Sequence, residues 1–189
     1  MTFRINRRAL ITTAGYGIGG LLLPGGQLVA QTLLGLTGFT HSVASGEPGP
    51  DSTLLWTRFV PTAGGPAKVR VEVADSRDFI KIVGGGQMIT GPWRDHTVKI
   101  TVDGLQPGRF YWYRFIGPDG AISPIGRTKT LPVGKVGKFN IAIFSCANIG
   151  FGEFNAYGHA AARDDIDLTL HMGDYIYEYG RGGYDGGPK

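Results

Sequence analysis

The sequence predicts a β-sandwich followed by an incomplete α/β unit of the strand–helix–strand type. Two observations lead to this fold class. From residue 39 to residue 132, short segments alternate apolar and polar residues and are separated by turn residues, as in antiparallel sheets with one dry and one wet face. After Pro132 the alternation ends, and two near-continuous apolar runs flank a stretch of helix-compatible composition, as in a parallel strand–helix–strand unit.

The first 30 residues have the layout of an export signal. A basic start is followed by a Gly-rich, modestly apolar stretch from Ala9 to Leu23. The pair Arg7-Arg8 is typical of a twin-arginine signal, which is read by the twin-arginine export machinery. We therefore predict that residues 1–30 are a signal peptide and that the protein is periplasmic or secreted. Residues 28–30 (LVA) match a cleavage site poorly, so an uncleaved anchor stays open, and without it no stable membrane association is expected.

The charge distribution argues against a nucleic-acid partner. The chain has 19 Lys and Arg against 15 Asp and Glu, a net charge of +4. Three of the basic residues, Arg4, Arg7 and Arg8, lie in the leader, and the first acidic residue is Glu47. Because most of the excess belongs to the leader, nucleic-acid binding is not expected. Cys146 is the only cysteine, which excludes an intrachain disulfide.

Residues 37–132 are predicted to form a β-sandwich of the fibronectin type III or immunoglobulin kind. Seven short segments within roughly 95 residues fit the strand number of such a sandwich. Leu105 and Pro107 form a corner before Tyr111, which resembles the corner between the fifth and sixth strands of fibronectin type III domains. The predicted strands are residues 53–59, 69–73, 79–83, 87–90, 98–102, 109–116 and 126–131.

Aromatic residues are frequent in this first domain. Tyr113 and Phe115 alternate with polar or outward positions on one predicted strand, as core residues do. We interpret Trp56, Trp93 and Trp112 as core residues too, because tryptophans at strand spacing are usually buried. A carbohydrate-binding platform is the alternative for these three side chains.

Residues 138–189 open with the strand–helix–strand unit. KFNIAIFS (138–145) is apolar almost throughout, which predicts a strand buried on both faces. Residues 153–165 have the composition of a helix, and IDLTLHM (166–172) predicts a second strand. Two strands joined by a helix are expected to be parallel and adjacent in one sheet.

A possible metal site follows from this arrangement. In an open α/β sheet, ligands bind beyond the carboxyl ends of the strands, where Cys146 follows the first strand and Asp174 follows the second. Gly173 permits a tight turn, and Tyr177 lies three residues beyond Asp174. A thiolate, a carboxylate and a phenolate are anionic ligands that suit a strongly acidic metal ion better than Mg²⁺ alone.

Each of these residues also has a plainer explanation when taken alone. A free cysteine at a strand end is often a small apolar side chain, an aspartate after a strand is often a helix N-cap, and a tyrosine often only packs. His171, inside the second predicted strand, is interpreted as a core or supporting residue and not as a ligand. The joint placement of Cys146, Asp174 and Tyr177 at one edge is what favours a metal site.

Three stretches of the chain, in this order, resemble one family. FTHSVASGEPGPDSTLLWTR (39–58), FSCANIGFGEFNAYGHAAARDDIDLTLHMGDYIYEYG (144–180) and the twin-arginine leader resemble the PhoD-like alkaline phosphatases. The resemblance implies a small β-domain ahead of a calcineurin-like metallophosphoesterase domain, of which residues 138–189 would be the N-terminal part. It also implies secretion and metal-dependent hydrolysis of phosphomonoesters and phosphodiesters.

The resemblance further implies the metals and their ligands. Cys146, Asp174 and Tyr177 would bind Fe³⁺, and Asp174 would also bridge to Ca²⁺. A two-metal site needs further ligands from later strands, so we expect the metallophosphoesterase domain to be truncated in this chain and the chain alone to be inactive. The remaining partner implied is a phosphoester substrate.

Two alternatives stay open at this point. Purple acid phosphatases also pair a fibronectin-like domain with a GDxxY motif, but they place Asp after the first strand, where this chain has Ser145-Cys146. The other alternative is a secreted, non-catalytic β-sandwich binding module. Such a module should expose an aromatic patch and keep its function when residues 133–189 are deleted.

Overall fold

The computed structural model describes residues 36–148 and 153–177. The predicted leader lies outside these residues, as does the end of the GDYIYEYG motif from Glu178 onward. The chain divides into two compact units between Leu131 and Pro132. Within the described residues, no helix has both the length and the apolar character needed to cross a membrane.

The first unit consists of two antiparallel sheets. The strands of one sheet have the order β1-β2-β5, and those of the other have the order β4-β3-β6-β7. Their bounds are β1 (Gly38–Gly46), β2 (Thr53–Val60), β3 (Ala67–Ala74), β4 (Ile82–Thr90), β5 (Thr97–Val102), β6 (Phe110–Ile116) and β7 (Gly126–Lys129). A short 3-10 helix, Pro92–Arg94, joins β4 to β5.

The two sheets share one hydrophobic core, which explains the alternation in the sequence. In β3, for example, residues 67, 69, 71 and 73 are buried and the positions between them are exposed or half-buried. The predicted inward direction of Tyr113 and Phe115 is confirmed, since both belong to this core. Core residues from both sheets pack together: Leu55, Phe59, Val69, Val71, Val73, Val98, Ile100, Val102, Leu105, Tyr111, Tyr113 and Phe115.

Two strands differ from the prediction. The segment 38–46 forms β1, although its alternation is disturbed by a register shift between Phe39 and Val43. The predicted strands 79–83 and 87–90 are replaced by the single strand β4. The glycines between them continue the strand and allow the neighbouring strand to approach closely: a Cβ on Gly85 would lie 2.5 Å from the Val71 carbonyl oxygen.

The interpretation of the tryptophans as core residues was wrong. Trp93 is 66% exposed. Trp56 and Trp112 are only half-buried, because they occupy the outward positions of β2 and β6. The core positions of these strands belong to residues of opposite parity, such as Leu55 and Tyr113.

The second unit contains a parallel strand pair and one helix. Strand β8 (Ile141–Phe144) pairs with β9 (Leu168–His171) in parallel, so that Ile141 lies opposite Leu168. Helix α1 (Asn155–Ala161) connects them. It is shorter than the predicted residues 153–165, because Asp165 pairs with Arg163 and accepts a hydrogen bond from the Asn140 side chain through its carbonyl oxygen.

The prediction that the first strand of this unit is buried on both faces was wrong for the described residues. One face of the strand pair contacts α1, where Phe144 and Tyr157 pack edge to face with their ring centroids 4.8 Å apart. The other face is exposed, with Ile143 at 63% and Leu170 at 40%. No described element of this unit buries that face. The apolar run therefore forms a strand that is covered on one face by α1 and uncovered on the other among the described residues.

Candidate metal site

The parallel pairing continues beyond the two strands of the second unit. The Met172 amide donates to the Phe144 carbonyl oxygen at 2.8 Å, and the Cys146 amide donates to the Gly173 carbonyl oxygen at 3.2 Å. These bonds keep the segment after β8 beside the segment after β9. Cys146 and Asp174 therefore leave the same edge of the sheet as neighbours.

The backbone at this edge has an uncommon conformation. Cys146 and Asp174 both have left-handed backbone angles, with φ of 55° and 51°. Gly173 has φ of 135°, a region that only glycine adopts readily. A non-glycine residue in the left-handed region costs about 1–3 kcal/mol, and such residues are concentrated at functional sites. Two of the three residues predicted as ligands, Cys146 and Asp174, thus have backbones that turn sharply after the strand ends.

The side chains of the predicted site meet. The Cys146 Sγ donates to Asp174 Oδ2 over 3.3 Å, and both residues are exposed to solvent. Tyr177 is half-buried. Its hydrogen bond with Cys146, its partial desolvation and its hydrogen bond and electrostatic interaction with Asp174 raise the pKa of Tyr177 well above its ordinary value. The structure therefore brings together all three residues that the sequence nominated, without assigning them a ligand.

The chemistry of these three donors fits a cation. Three acidic groups lie together, and the hydrogen bonds with Cys146 and Asp174 raise the pKa of Tyr177. A positive ion between them would reverse this effect, because it stabilises the anionic form of each donor. In the part of the chain that the structure describes, no three His, Cys, Asp or Glu side chains form a metal-binding group. The third member of the cluster at this edge is the Tyr177 phenol.

Two residues near this edge, His171 and Tyr157, make contacts that the sequence did not predict. His171, the last residue of β9, contacts Tyr157 of α1 through its Nε2 atom at 2.9 Å from Tyr157 Oη. Its Nδ1 atom accepts a hydrogen bond from the Gly173 amide at 3.4 Å. The available signal was the position of His171 two residues before the turn, opposite a helix face that carries an aromatic residue.

Comparisons with known proteins identify the family. Residues 28–132 match the PhoD-like phosphatase N-terminal domain, and residues 141–189 match the PhoD-like phosphatase itself. Alkaline phosphatase D of Bacillus subtilis (strain 168) is 43% identical over 155 residues, which cover 77% of this chain and 26% of that protein. A solved structure of PhoD has a TM-score of 0.70 at 41% identity and covers 76% of this chain.

These matches cover most of this chain but only a small part of each relative. The chain spans 26% of the Bacillus subtilis protein and 29% of the solved PhoD chain, so it corresponds to under a third of either. The resemblance noted from residues 39–58 and 144–180 is confirmed, and it favours this family over the purple acid phosphatases. Because the N-terminal domain match alone spans more than half of its residues, the chain belongs to the PhoD-like phosphatase family.

Proposed function

We propose that this chain contributes the first domain and the first metal-binding edge of a metal-dependent hydrolase of phosphomonoesters and phosphodiesters. The observation that carries the proposal is the convergence of Cys146, Asp174 and Tyr177 beyond two parallel strands. Membership of the PhoD-like phosphatase family supports the reaction class. The chain spans 26% of its Bacillus subtilis relative, so we propose the hydrolase activity for the whole protein and not for this stretch alone.

Fe³⁺ is the metal that we propose for these three donors. A thiolate, a carboxylate and a phenolate together bring three negative charges, which a trivalent ion offsets better than a divalent one. The Asp174 carboxylate has a second oxygen besides the one bonded to Cys146. We propose that this carboxylate is shared with Ca²⁺.

When bound, such a metal pair supplies electrostatic stabilisation for the attacking and leaving oxygens of the phosphate group. The residues of this chain would position the donors for these metals at the edge of the strand pair. The left-handed backbones of Cys146 and Asp174 turn both side chains to the same edge. Cys146 and Tyr177 would each lose a proton to solvent on binding a metal, so metal binding is expected to weaken at low pH.

For the first unit we propose a fibronectin type III or immunoglobulin-like identity. Its seven strands form one sheet of three and one sheet of four around a common core. At the predicted corner, the Gln106 amide donates to Tyr111 Oη at 2.9 Å. A tyrosine near the start of a strand, bonded to the backbone a few residues upstream, is the tyrosine corner of this class of sandwich.

We also propose a periplasmic or secreted location, with the twin-arginine machinery as the export partner. The support is in the sequence, where Arg7-Arg8 precedes an apolar stretch. Export in the folded state would allow iron to be bound before the protein crosses the membrane. Substituting both arginines by lysine should retain the protein in the cytoplasm, and unchanged export would contradict this part of the proposal.

The metal proposal is tested by titrating the metal-free chain with Fe³⁺. We expect equimolar binding, and a loss of at least about tenfold in affinity for Cys146→Ala, Asp174→Asn and Tyr177→Phe, because each removes one of three donors. Tyr175→Phe is the matched control, since this exposed tyrosine lies two residues from Tyr177 and is not a proposed donor. Equal binding by Cys146→Ala and the unchanged chain would refute the site.

The catalytic proposal is tested with p-nitrophenyl phosphate and bis(p-nitrophenyl) phosphate. We expect the native protein from the exported fraction to hydrolyse these substrates with Fe³⁺ and Ca²⁺, and Cys146→Ala to abolish the turnover. The purified 189-residue chain is expected to show none, because three donors at one edge are too few for a two-metal site. Turnover by the chain that disappears in Cys146→Ala would overturn this second expectation.

A secreted binding module is the second candidate function, and one observation favours it. Trp93 is 66% exposed on the first unit, beside the half-buried Arg94. Deleting residues 133–189 distinguishes the two functions. A binding module keeps its ligand after the deletion, whereas the phosphatase function loses all three proposed metal ligands.

A further inference from the structure

We propose that His171 is a positioning residue that fixes the Gly173–Asp174 turn and thereby aims the Asp174 carboxylate at the metal site. This inference rests on the proposed function, because it assumes that Asp174 binds a metal. It assigns His171 no contact with the metal or the substrate. The action runs through the backbone of the turn.

Both ring nitrogens of His171 have partners. Nδ1 accepts a hydrogen bond from the Gly173 amide at 3.4 Å, and Nε2 lies 2.9 Å from Tyr157 Oη. Since Nδ1 is an acceptor in this network, the proton of the neutral ring is assigned to Nε2, which donates to Tyr157. A ring engaged at both nitrogens has no lone pair to offer to a metal, which separates this role from that of a ligand.

The ring itself is held in place by aromatic contacts. Tyr157 packs edge to face on Phe144 of β8 at 4.8 Å and stacks on Phe154 at 5.8 Å. Tyr175, just after the turn, packs edge to face on the His171 ring at 4.9 Å. His171 therefore connects the side of the unit where α1 meets the sheet to the turn that carries Asp174.

The turn needs such support because its conformation is unfavourable. Asp174 has a φ of 51°, and a strained non-glycine residue of this kind persists only where surrounding contacts hold it. The Gly173 amide is bound by His171, and the Gly173 carbonyl oxygen is bound by the Cys146 amide. The turn is thus held from both sides, by the ring of His171 and by the backbone of Cys146.

Three substitutions at position 171 separate positioning from packing. Asn places a carbonyl oxygen where Nδ1 stands and retains the bond to Gly173, Gln reaches only towards Tyr157, and Ala retains neither bond. His159→Ala is the matched control, since His159 is an exposed histidine on α1 of the same unit. Tyr157→Phe removes only the far partner of the ring.

Two measurements are made on each variant of the full chain. The first is the Fe³⁺ dissociation constant, which we expect to rise roughly 10- to 100-fold in His171→Ala and His171→Gln and by no more than about threefold in His171→Asn. The second is amide exchange of Gly173 and Cys146 in the metal-free chain. We expect roughly 2- to 10-fold faster exchange in His171→Ala and protection close to that of the unchanged chain in His171→Asn.

The outcomes distinguish this inference from the proposed function. If the unchanged chain binds no Fe³⁺, the proposed metal site fails, and amide exchange alone still decides whether His171 holds the turn. If Fe³⁺ binds but His171→Asn behaves like His171→Ala in both measurements, the positioning role is overturned and His171 serves packing only. His159→Ala is expected to leave both measurements unchanged.

Discussion

The two units of this chain use their apolar residues differently. In the first unit, Leu55, Val69 and Phe115 have no exposed surface. In the second unit, none of the described residues is fully buried, and Ile143 is 63% exposed. The first unit is therefore stabilised by burial of apolar surface, whereas the second is organised by hydrogen bonds that converge on one edge.

The well-buried core and the candidate metal site therefore lie in different units of the chain. The strained residues Cys146 and Asp174 lie in the second unit, where little burial opposes local rearrangement. A metal ion that binds only the folded arrangement would add the missing stabilisation. Substitutions in the first unit should accordingly change unfolding, whereas substitutions at the edge of the second should change metal binding.

The largest effect on stability is expected for Phe115→Ala. Phe115 is completely buried between the two sheets, and a core Phe→Ala change costs about 3–5 kcal/mol of unfolding free energy because it leaves a cavity. Phe154→Ala in the second unit is the matched comparison, since Phe154 is 43% exposed and stacks on Tyr157. Urea unfolding measures both variants, with tryptophan fluorescence reporting on the first unit and circular dichroism on the whole chain.

The comparison between the units fails if these two variants behave alike. Phe154→Ala should cost less than about 1 kcal/mol, as exposed substitutions usually do. All three tryptophans lie in the first unit, so their fluorescence reports on that unit. A large loss for Phe154→Ala in this signal would mean that the first unit depends on the second for its stability.

A second prediction concerns alkaline pH. Burial raises the pKa of Tyr113 from its ordinary value of 10.0 to about 12, although a hydrogen bond with Ser45 opposes the shift. Because the pKa in the folded state is raised, the stabilisation is complete below pH 10 and is lost as the pH rises to 12. Over this range the loss amounts to about 2–3 kcal/mol.

Tyr113→Phe isolates this contribution. The variant has no phenol to ionise, so its unfolding free energy should fall less between pH 10 and pH 12 than that of the unchanged chain. Urea unfolding at several pH values in this range measures the difference. Parallel pH profiles for the two proteins would show that the Tyr113 phenol is not held neutral by the core.

Much of the first unit was predictable from periodicity, and its errors have physical causes. Alternation identifies strands when one face is buried, as in β3. It missed β1, where a bulge interrupts the alternation, and it divided β4, where Gly85 is required by the close approach of the Val71 carbonyl. It also cannot say which face of a strand is inward when both carry aromatics, which is why Trp112 was misplaced.

The candidate site was predictable for a different reason. The carboxyl ends of adjacent parallel strands lie at one edge, so the positions of Cys146 and Asp174 after two strands imply that they meet. The hydrogen bond between the Gly173 amide and His171 is not visible in the sequence, because it depends on the backbone angles of the turn. The identity of a metal depends on donors and geometry together, so the proposal of Fe³⁺ remains a prediction.

A third, smaller effect is expected for Tyr111→Phe. The Tyr111 hydroxyl binds the Gln106 amide at 2.9 Å in the corner before β6. Removing the hydroxyl leaves this amide without its partner, which should cost about 1–2 kcal/mol of unfolding free energy. Urea unfolding at neutral pH gives the value, with Tyr175→Phe in the second unit as a tyrosine control. A cost equal to that of the control would mean that the corner is held by the core and not by this bond.

The smallest effect on stability is expected for Ile143→Thr, and it tests the second unit directly. Ile143 lies on the exposed face of the β8–β9 pair, so a polar β-branched residue should fit the strand and change the unfolding free energy by less than about 0.5 kcal/mol. The same change removes apolar surface that can pair with another molecule, so self-association in sedimentation experiments should decrease. Its register partner on β9 is Leu170, which is itself 40% exposed, so this face offers Ile143 only partial burial. A stability loss as large as that of Phe115→Ala would mean that this face is buried in solution, and the contrast between the two units would not hold.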